Sequence, residues 1–293
     1  MAVPDLQAVE QAVALAIRTG RTDHIRVLGH GEISIVLGWP THDSQVAVKR
    51  VPPFRTAAAA QRYIDVCHEF FEVLASAGVA TWPTTLHALQ RDDGRTVVYH
   101  RQPIADTAQL GTNVLRAAEP AATHPLLDAI VEAAARVCAP TVGFDCQLSN
   151  WLWDGTTAAQ IDFTSPFTLT ERRNDLTYDS KAFLQEYPVV LRPYLRRELT
   201  GLIHRYTTPA GALSDMVANM FKEDLHQWVD PAIATINDRL GANLQRETAQ
   251  KMFNDDRSLM PLVLKMKKGQ RWWRLHTGRP YEALLPERTT YDR

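Results

Sequence analysis

The sequence predicts an α+β chain in two lobes, a small antiparallel sheet followed by a larger helical region. Three observations lead there. Short β-rich runs crowd into residues 24–51, one uninterrupted helical stretch follows at 57–77, and beyond Pro103 the pattern is helical almost throughout. The 293 residues are 45% hydrophobic and 22% charged, which suits a chain with a substantial core and excludes disordered or low-complexity classes. The expected division is an N-terminal helix in 1–22, a sheet lobe in 23–102 and a helical lobe in 103–293.

Within Met1–Gly20, Val9, Val13, Ala16 and Ile17 recur at helical spacing, and no basic region precedes a continuous apolar run. The segment reads as an amphipathic helix and not as a secretion signal. Three strands follow at His24–Leu28, Ile33–Leu37 and Gln45–Lys49, joined by Gly29-His30-Gly31 and by Trp39–Ser44. Ala57–Ala77 carries Ile64, Cys67, Phe71 and Leu74 at three- and four-residue spacing and stops at Gly78, so one long helix is expected. Two more strands, Leu86–Gln90 and Thr96–His100, flank the turn Asp92-Asp93-Gly94. Helices are then expected at Thr107–Ala117, Pro125–Cys138, Leu191–Tyr206, Ala212–Val229 and Pro231–Leu240, with Pro209 and Asp230-Pro231 read as helix starts. A short hairpin, Trp151–Trp153 and Ala159–Ile161 around Asp154-Gly155, interrupts them.

Thirty-two Lys+Arg against 33 Asp+Glu give a net charge of −1, so no global charge draws the chain to nucleic acid or anionic lipid. No stretch reaches 18 uninterrupted apolar residues, which excludes a spanning helix. Cys67, Cys138 and Cys146 are odd in number and far apart, arguing for free thiols in a reducing, cytoplasmic compartment. The ten histidines show no metal-like pairing.

Four features carry chemistry. Gly29-His30-Gly31, with Ser34 just beyond, lies between two strands, where backbone N–H groups can approach phosphate oxygens without a Cβ in the way; as a lone pattern it is more often just a turn. Lys49 ends the third strand, eighteen residues past Gly31. An ammonium facing the interior there needs an anion from the helix that follows, and Glu69 or Glu72 is the candidate. In the loop Asp145-Cys-Gln-Leu-Ser-Asn150 an acid precedes an asparagine by five residues, and Asp162 sits twelve further on, after a short apolar strand. Phosphoryl transfer needs a carboxylate to orient and deprotonate the accepting hydroxyl, which suits Asp145, and oxygen ligands for Mg²⁺, which suits Asn150 and Asp162. The fourth feature, Lys265–Arg274, carries five positive charges and two adjacent indoles; it reads either as a grip for an anionic or aromatic substrate or as a solvated helix end with its indoles packed inward.

Together the Gly turn, Val46-Ala-Val-Lys49, a helix glutamate, Asp145-x-x-x-x-Asn150 and Asp162-Phe163 resemble the protein-kinase-like fold, and more closely its small-molecule branch, the aminoglycoside and choline phosphotransferase-like kinases. The resemblance covers residues 24–180. It implies an ATP-dependent phosphotransferase acting on a small-molecule hydroxyl, with ATP and Mg²⁺ between the lobes. It implies that Gly29, His30, Gly31, Ser34 and Lys49 clamp the phosphates and that Lys49 pairs with Glu69 or Glu72, Glu69 preferred. It further implies that His100–Pro103, including Gln102, forms a hinge meeting the adenine. Asp145 is then the base, Asn150 and Asp162 are the metal ligands, and Asp175 or Asp179 is either the buried acid that holds the catalytic loop or an exposed cap. Three positions depart from the pattern: Gly143 stands where the family usually has His, Thr164 follows Asp162-Phe163 in place of Gly, and Ser34 replaces a third loop glycine. The alternatives are a Ser/Thr kinase acting on a peptide in natural-product biosynthesis and a nucleotide-binding pseudokinase or scaffold.

Overall fold

The computed structural model describes residues 5–30, 34–170, 175–185 and 187–287. Its N-terminal half is a five-stranded antiparallel sheet in the order β1-β2-β3-β6-β5, built from β1 (Arg26–His30), β2 (Ile35–Trp39), β3 (Val46–Arg50), β5 (Thr85–Gln90) and β6 (Thr96–Pro103). Helices cover both faces. α1 (Leu6–Thr19) starts at Asp5, whose carboxylate accepts from the Gln7 and Ala8 amides, and stops at Gly20 in the left-handed conformation (φ 75°). Its expected stripe, Val9, Val13, Ala16 and Ile17, is buried against Leu37, Val46, Val48 and Tyr99 on the outer face of the sheet. α2 (Ala57–Ser76), capped by Thr56, packs Tyr63, Val66 and Cys67 with Val98 on the inner face.

Strand alternation follows from this layering. On β3, Val46, Val48 and Arg50 face α1, whereas Ala47 and Lys49 face α2, and Lys49 lies directly opposite His100 of β6. Arg50 donates to both carboxylate oxygens of Glu10 (2.8 and 2.8 Å) and to the Glu282 carboxylate (3.1 Å), joining α1 to the C-terminal tail inside the protein. The tail residues Tyr281 and Ala283–Leu285 pack on the α1 side of the sheet, so the region beyond residue 103 does not stay wholly with the helical half.

A small three-stranded sheet ties the halves together. The expected hairpin forms as β7 (Trp151–Trp153) and β8 (Ala158–Gln160), and β4 (Ala80–Thr81), which the sequence did not announce, pairs in parallel with β8. Around them lie α3 (Gly111–Ala117), α4 (Pro125–Val137), α5 (Lys181–Leu184), α6 (Arg192–Tyr206), α7 (Pro209–Lys222), α8 (His226–Leu240) and α9 (Arg246–His276). Their core includes Leu126, Ile130, Phe144, Met216, Met220 and Trp228. Two expectations change. The helix expected over 212–229 breaks at Asp224, where φ is +57°, and the next helix begins at His226 and not at Pro231. Burial of Trp228, whose indole donates to the Leu115 carbonyl (2.7 Å), draws that turn upstream and leaves Pro231 inside α8. α9, a 31-residue helix with Pro261 inside it, buries only Ala249 completely and runs from the helical half to α1, where Arg271 donates to the Ile17 carbonyl (2.8 Å). No helix among the described residues is long and apolar enough to cross a membrane.

Candidate functional site

A cleft of about 1270 Å³ lies between the sheet and the helical half. Gly29, Ser34 and Lys49 line it from the sheet, and Asp145, Asn150 and Asp162 from the helical side. The sheet supplies its residues through a β-bulge between Val27 and Gly29 at the end of β1 and through the inward face of β3. A Cβ at Gly29 would meet no described atom within 4 Å, and its φ is not in the left-handed region. Gly31 and the His30 side chain lie outside the described residues.

Lys49 is buried, and its Nζ crosses the cleft to Asp162 Oδ1 (3.4 Å) while donating to the Ile161 carbonyl (2.8 Å). It does not pair with a helix carboxylate. Glu69 is exposed and takes the Arg62 guanidinium (2.8 Å), and Glu72 is exposed as well. The cause is rotational register: at about 100° per residue, Glu72 falls on the face of α2 opposite Tyr63, and Glu69 falls well away from it. Tyr63 and Cys67 occupy the inner face instead.

Asp162 Oδ1 also accepts from the Thr164 backbone N–H (3.0 Å) and hydroxyl (2.8 Å). Burial would raise the carboxyl pKa, but the Lys49 charge and the two Thr164 bonds outweigh it and hold the group below the usual carboxylate range. The departure at Thr164 therefore serves the aspartate directly. Asp145 is half-buried and accepts from the Gln147 amide (3.0 Å). Its neighbour Phe144 is the residue that packs edge-on against the buried Trp151 (5.8 Å between ring centres), so Asp145 itself stays on the cleft wall. Asn150 ends a turn at Leu148–Asn150, and its carbonyl accepts from the Ile161 amide (2.9 Å), which sets it beside Asp162.

His100 is not placed to meet a ligand, whereas Gln102 lines the cleft. His100 is fully buried, with Nε2 on the Tyr63 hydroxyl (2.8 Å), and burial, reinforced by the Lys49 charge, pushes its pKa down to about 3. Gln102 donates to Thr84 (2.9 Å) and to the Ile161 carbonyl (2.8 Å). β6 continues through Pro103, so the segment of this connection that faces the cleft as free loop is Ile104–Ala105.

The acid that holds the 145–150 loop is neither Asp175, which is exposed, nor Asp179, which accepts from the Lys181 amide (3.0 Å). It is Asp215 on α7, buried, accepting from Gln147 (3.1 Å), Tyr206 (2.9 Å) and Asn219 (3.0 Å). Its one sequence signal is an aspartate and an asparagine four apart in the run Ala212–Phe221, whose only other polar residue is Ser214. Gly143 has a structural reason too. A Cβ there would come within 2.9 Å of Phe167 Cβ and 3.1 Å of Tyr206 Cβ, and those two rings stack at 4.9 Å. The run Lys265–Arg274 corrects the expectation of inward indoles: Trp272 and Trp273 are exposed, Lys267 lies over the Tyr187 ring (4.5 Å) at the cleft, and Arg274 donates to the Gln185 carbonyl (2.7 Å).

Among the described residues no group of three or more His, Cys, Asp or Glu side chains gathers to hold a metal. The donors present suit a hard cation that keeps waters and ligand oxygens. Asn150 lines the cleft with no side-chain hydrogen bond to a described residue, and the hydrogen bonds to Asp162 all fall on Oδ1.

No curated protein matches the chain. A family model described as a family of unknown function (DUF6206) matches residues 8–271, and the chain belongs to that family.

Proposed function

We propose that the chain has the bilobal protein-kinase-like architecture and acts as an ATP-dependent phosphotransferase, moving the γ-phosphate to a hydroxyl of a small molecule. The observation that carries this reading is the convergence on one cleft of Gly29, Lys49, Asp145, Asn150 and Asp162, drawn from both halves of the chain.

In this reading the Gly29 backbone and the Lys49 ammonium receive the phosphates, and Lys49 neutralises charge on them. Magnesium, when bound with the nucleotide, supplies charge neutralisation on the phosphates, and Asn150 and Asp162 are the residues that would hold it. Asp145 orients the acceptor hydroxyl and takes its proton as the acceptor oxygen bonds to the γ-phosphorus; the bond to the bridging oxygen breaks, and ADP carries away that electron pair. Asp215 acts through Gln147 to keep the Asp145 loop in place. The Gly143 departure does not favour a scaffold, because the Phe167–Tyr206 stack occupies the space a larger side chain would need. The free thiols of Cys67, Cys138 and Cys146 fit a reaction in a reducing compartment.

The test is ADP release from Mg-ATP across aminoglycosides, amino alcohols, nucleosides, sugars and hydroxyl-bearing peptides. A small-molecule acceptor that raises turnover well above water-driven hydrolysis supports the proposal. Stimulation by peptides alone moves the reading to a peptide kinase, and nucleotide binding without turnover on any acceptor moves it to a scaffold.

A further inference from the structure

Each backbone carbonyl of residues 161, 163 and 164 is claimed by a side chain from the sheet half. Lys49 and Gln102 both donate to Ile161 O (2.8 Å each), the Cys67 thiol points at Phe163 O at 3.9 Å, and the Tyr63 hydroxyl donates to Thr164 O (2.9 Å). The Tyr63 bond is the one that bears on Asp162 orientation, because the same Thr164 residue supplies the two bonds to Asp162 Oδ1.

We propose that Tyr63 and His100 are a positioning pair for Asp162, taking up on the inner face of α2 the organising place that a helix carboxylate was expected to fill. The proposal rests on the phosphotransferase reading for its purpose and on the contacts alone for its geometry. A tyrosine hydroxyl has a single proton. With that proton on Thr164 O, the 2.8 Å contact to His100 requires His100 to donate from Nε2, which leaves Nδ1 bare. His100 Nδ1 is buried without a hydrogen-bond partner, so Nε2 is the ring nitrogen that makes the pair's contact. The relay therefore has one direction, from His100 on β6 through Tyr63 on α2 to the Thr164 carbonyl, and from Thr164 N–H and Oγ1 to Asp162. Both rings are fully buried and inclined at 58° to each other, and Phe54, Tyr178 and Phe183 pack around Tyr63, so the hydroxyl has little freedom to aim elsewhere. Without that hydroxyl the 164–165 peptide loses its anchor, the Thr164 Cα between it and the N–H on Asp162 is freer to shift, and the carboxylate loses the orientation that leaves Oδ2 for a ligand.

The test compares Tyr63→Phe, His100→Gln and His100→Leu in the full chain with two readouts. Gln can present an N–H near the Nε2 position; Leu cannot. Hydrogen exchange of the segment 161–165 reads the geometry without any nucleotide. Loss of one buried hydrogen bond predicts exchange faster by on the order of tenfold in Tyr63→Phe and His100→Leu, with His100→Gln near the parent chain. Calorimetry with a non-hydrolysable ATP analogue, with and without Mg²⁺, reads the purpose. Metal-free affinity should stay within about twofold, while the gain from Mg²⁺ falls on the order of tenfold in the same two variants. Unchanged exchange at 161–165 in Tyr63→Phe overturns the pair whatever the nucleotide does. Equal losses of metal-free and metal-dependent binding also overturn it, since that marks general structural damage. Faster exchange with no nucleotide binding in the parent chain leaves the pair standing as geometry and sinks the phosphotransferase reading instead.

Discussion

Replacing Lys49 by methionine tests the account at the contact that joins the two halves. The ammonium is 3.4 Å from Asp162 Oδ1, with 7% of the lysine side chain and 30% of the aspartate side chain exposed. At an effective dielectric of about 20, two unit charges at that distance attract by about 5 kcal/mol before desolvation is counted. Breaking a buried pair by removing one partner costs about 3–5 kcal/mol, and the lower end applies here because Asp162 keeps both Thr164 bonds and partial solvent contact. The Ile161 carbonyl is not orphaned, since Gln102 still donates to it. Lys49→Met should therefore lose about 3 kcal/mol of stability at pH 7. The folded pKa of Asp162 is depressed, so its contribution is present above the ordinary carboxylate value and is lost as pH falls through the lowered folded value. Without Lys49 that depression shrinks, so the gap between variant and parent should hold from pH 7 down to about 3.8 and narrow below it. Urea unfolding of both chains across that range measures it. A penalty below about 1 kcal/mol at pH 7, or one that does not change with pH, would refute the assignment of Asp162 as the charge partner of Lys49.

Three further outcomes follow from named contacts. Glu69→Gln should change stability by no more than about 0.5 kcal/mol and leave turnover intact, because it loses only an exposed pair with Arg62; a large loss of activity would reinstate a catalytic helix carboxylate. Gly143→Ala should destabilise by about 1–3 kcal/mol in thermal or urea unfolding, since its Cβ collides with Phe167, Tyr206 and the Tyr206 backbone; a neutral result would show that the ring stack yields easily. Acid unfolding should proceed in two stages. His100 is held neutral in the folded chain down to about pH 3, so the unfolded state binds the extra proton first, and stability falls by roughly 1.4 kcal/mol per pH unit below the ordinary 6.5. Burial opposes but Arg50, Tyr99 and Arg91 together depress the Glu10 carboxyl, so its contribution is lost below 4.5, as pH falls through the lowered folded value. His100→Gln should remove the upper stage alone, read from urea midpoints between about pH 7.5 and 4.

The sheet was legible because β-branched runs punctuated by Gly, Pro and Asp leave few other conformations, and the five strands fall within a few residues of expectation. The convergence of Lys49, Asp145, Asn150 and Asp162 was legible from their spacing and order. What was not legible depends on faces and on distant partners. The apolar periodicity of α2 announced a helix but not which side would meet Lys49, and aromatic packing of Tyr63 against Phe54, Tyr178 and Phe183 settles the register that turns Glu69 outward. Asp215 finds Gln147 across 68 residues, and Arg50 finds Glu282 across 232, and nothing local marks either pair. α9 went unannounced over its first half because a helix that buries one residue completely carries almost no apolar stripe. In α8, tertiary burial of Trp228 outweighed the proline signal two residues downstream of Val229.

The central claim is that this cleft transfers phosphate with Asp145 serving the acceptor. It is tested most directly by comparing Asp145→Asn with the parent chain, with nucleotide affinity measured by calorimetry and phosphorylated acceptor by mass spectrometry. The account predicts unchanged Mg-ATP affinity together with a rate lower by on the order of 10²- to 10⁴-fold. Turnover within a factor of about three of the parent chain on its best acceptor would contradict it, because Asp145 would then not be the base.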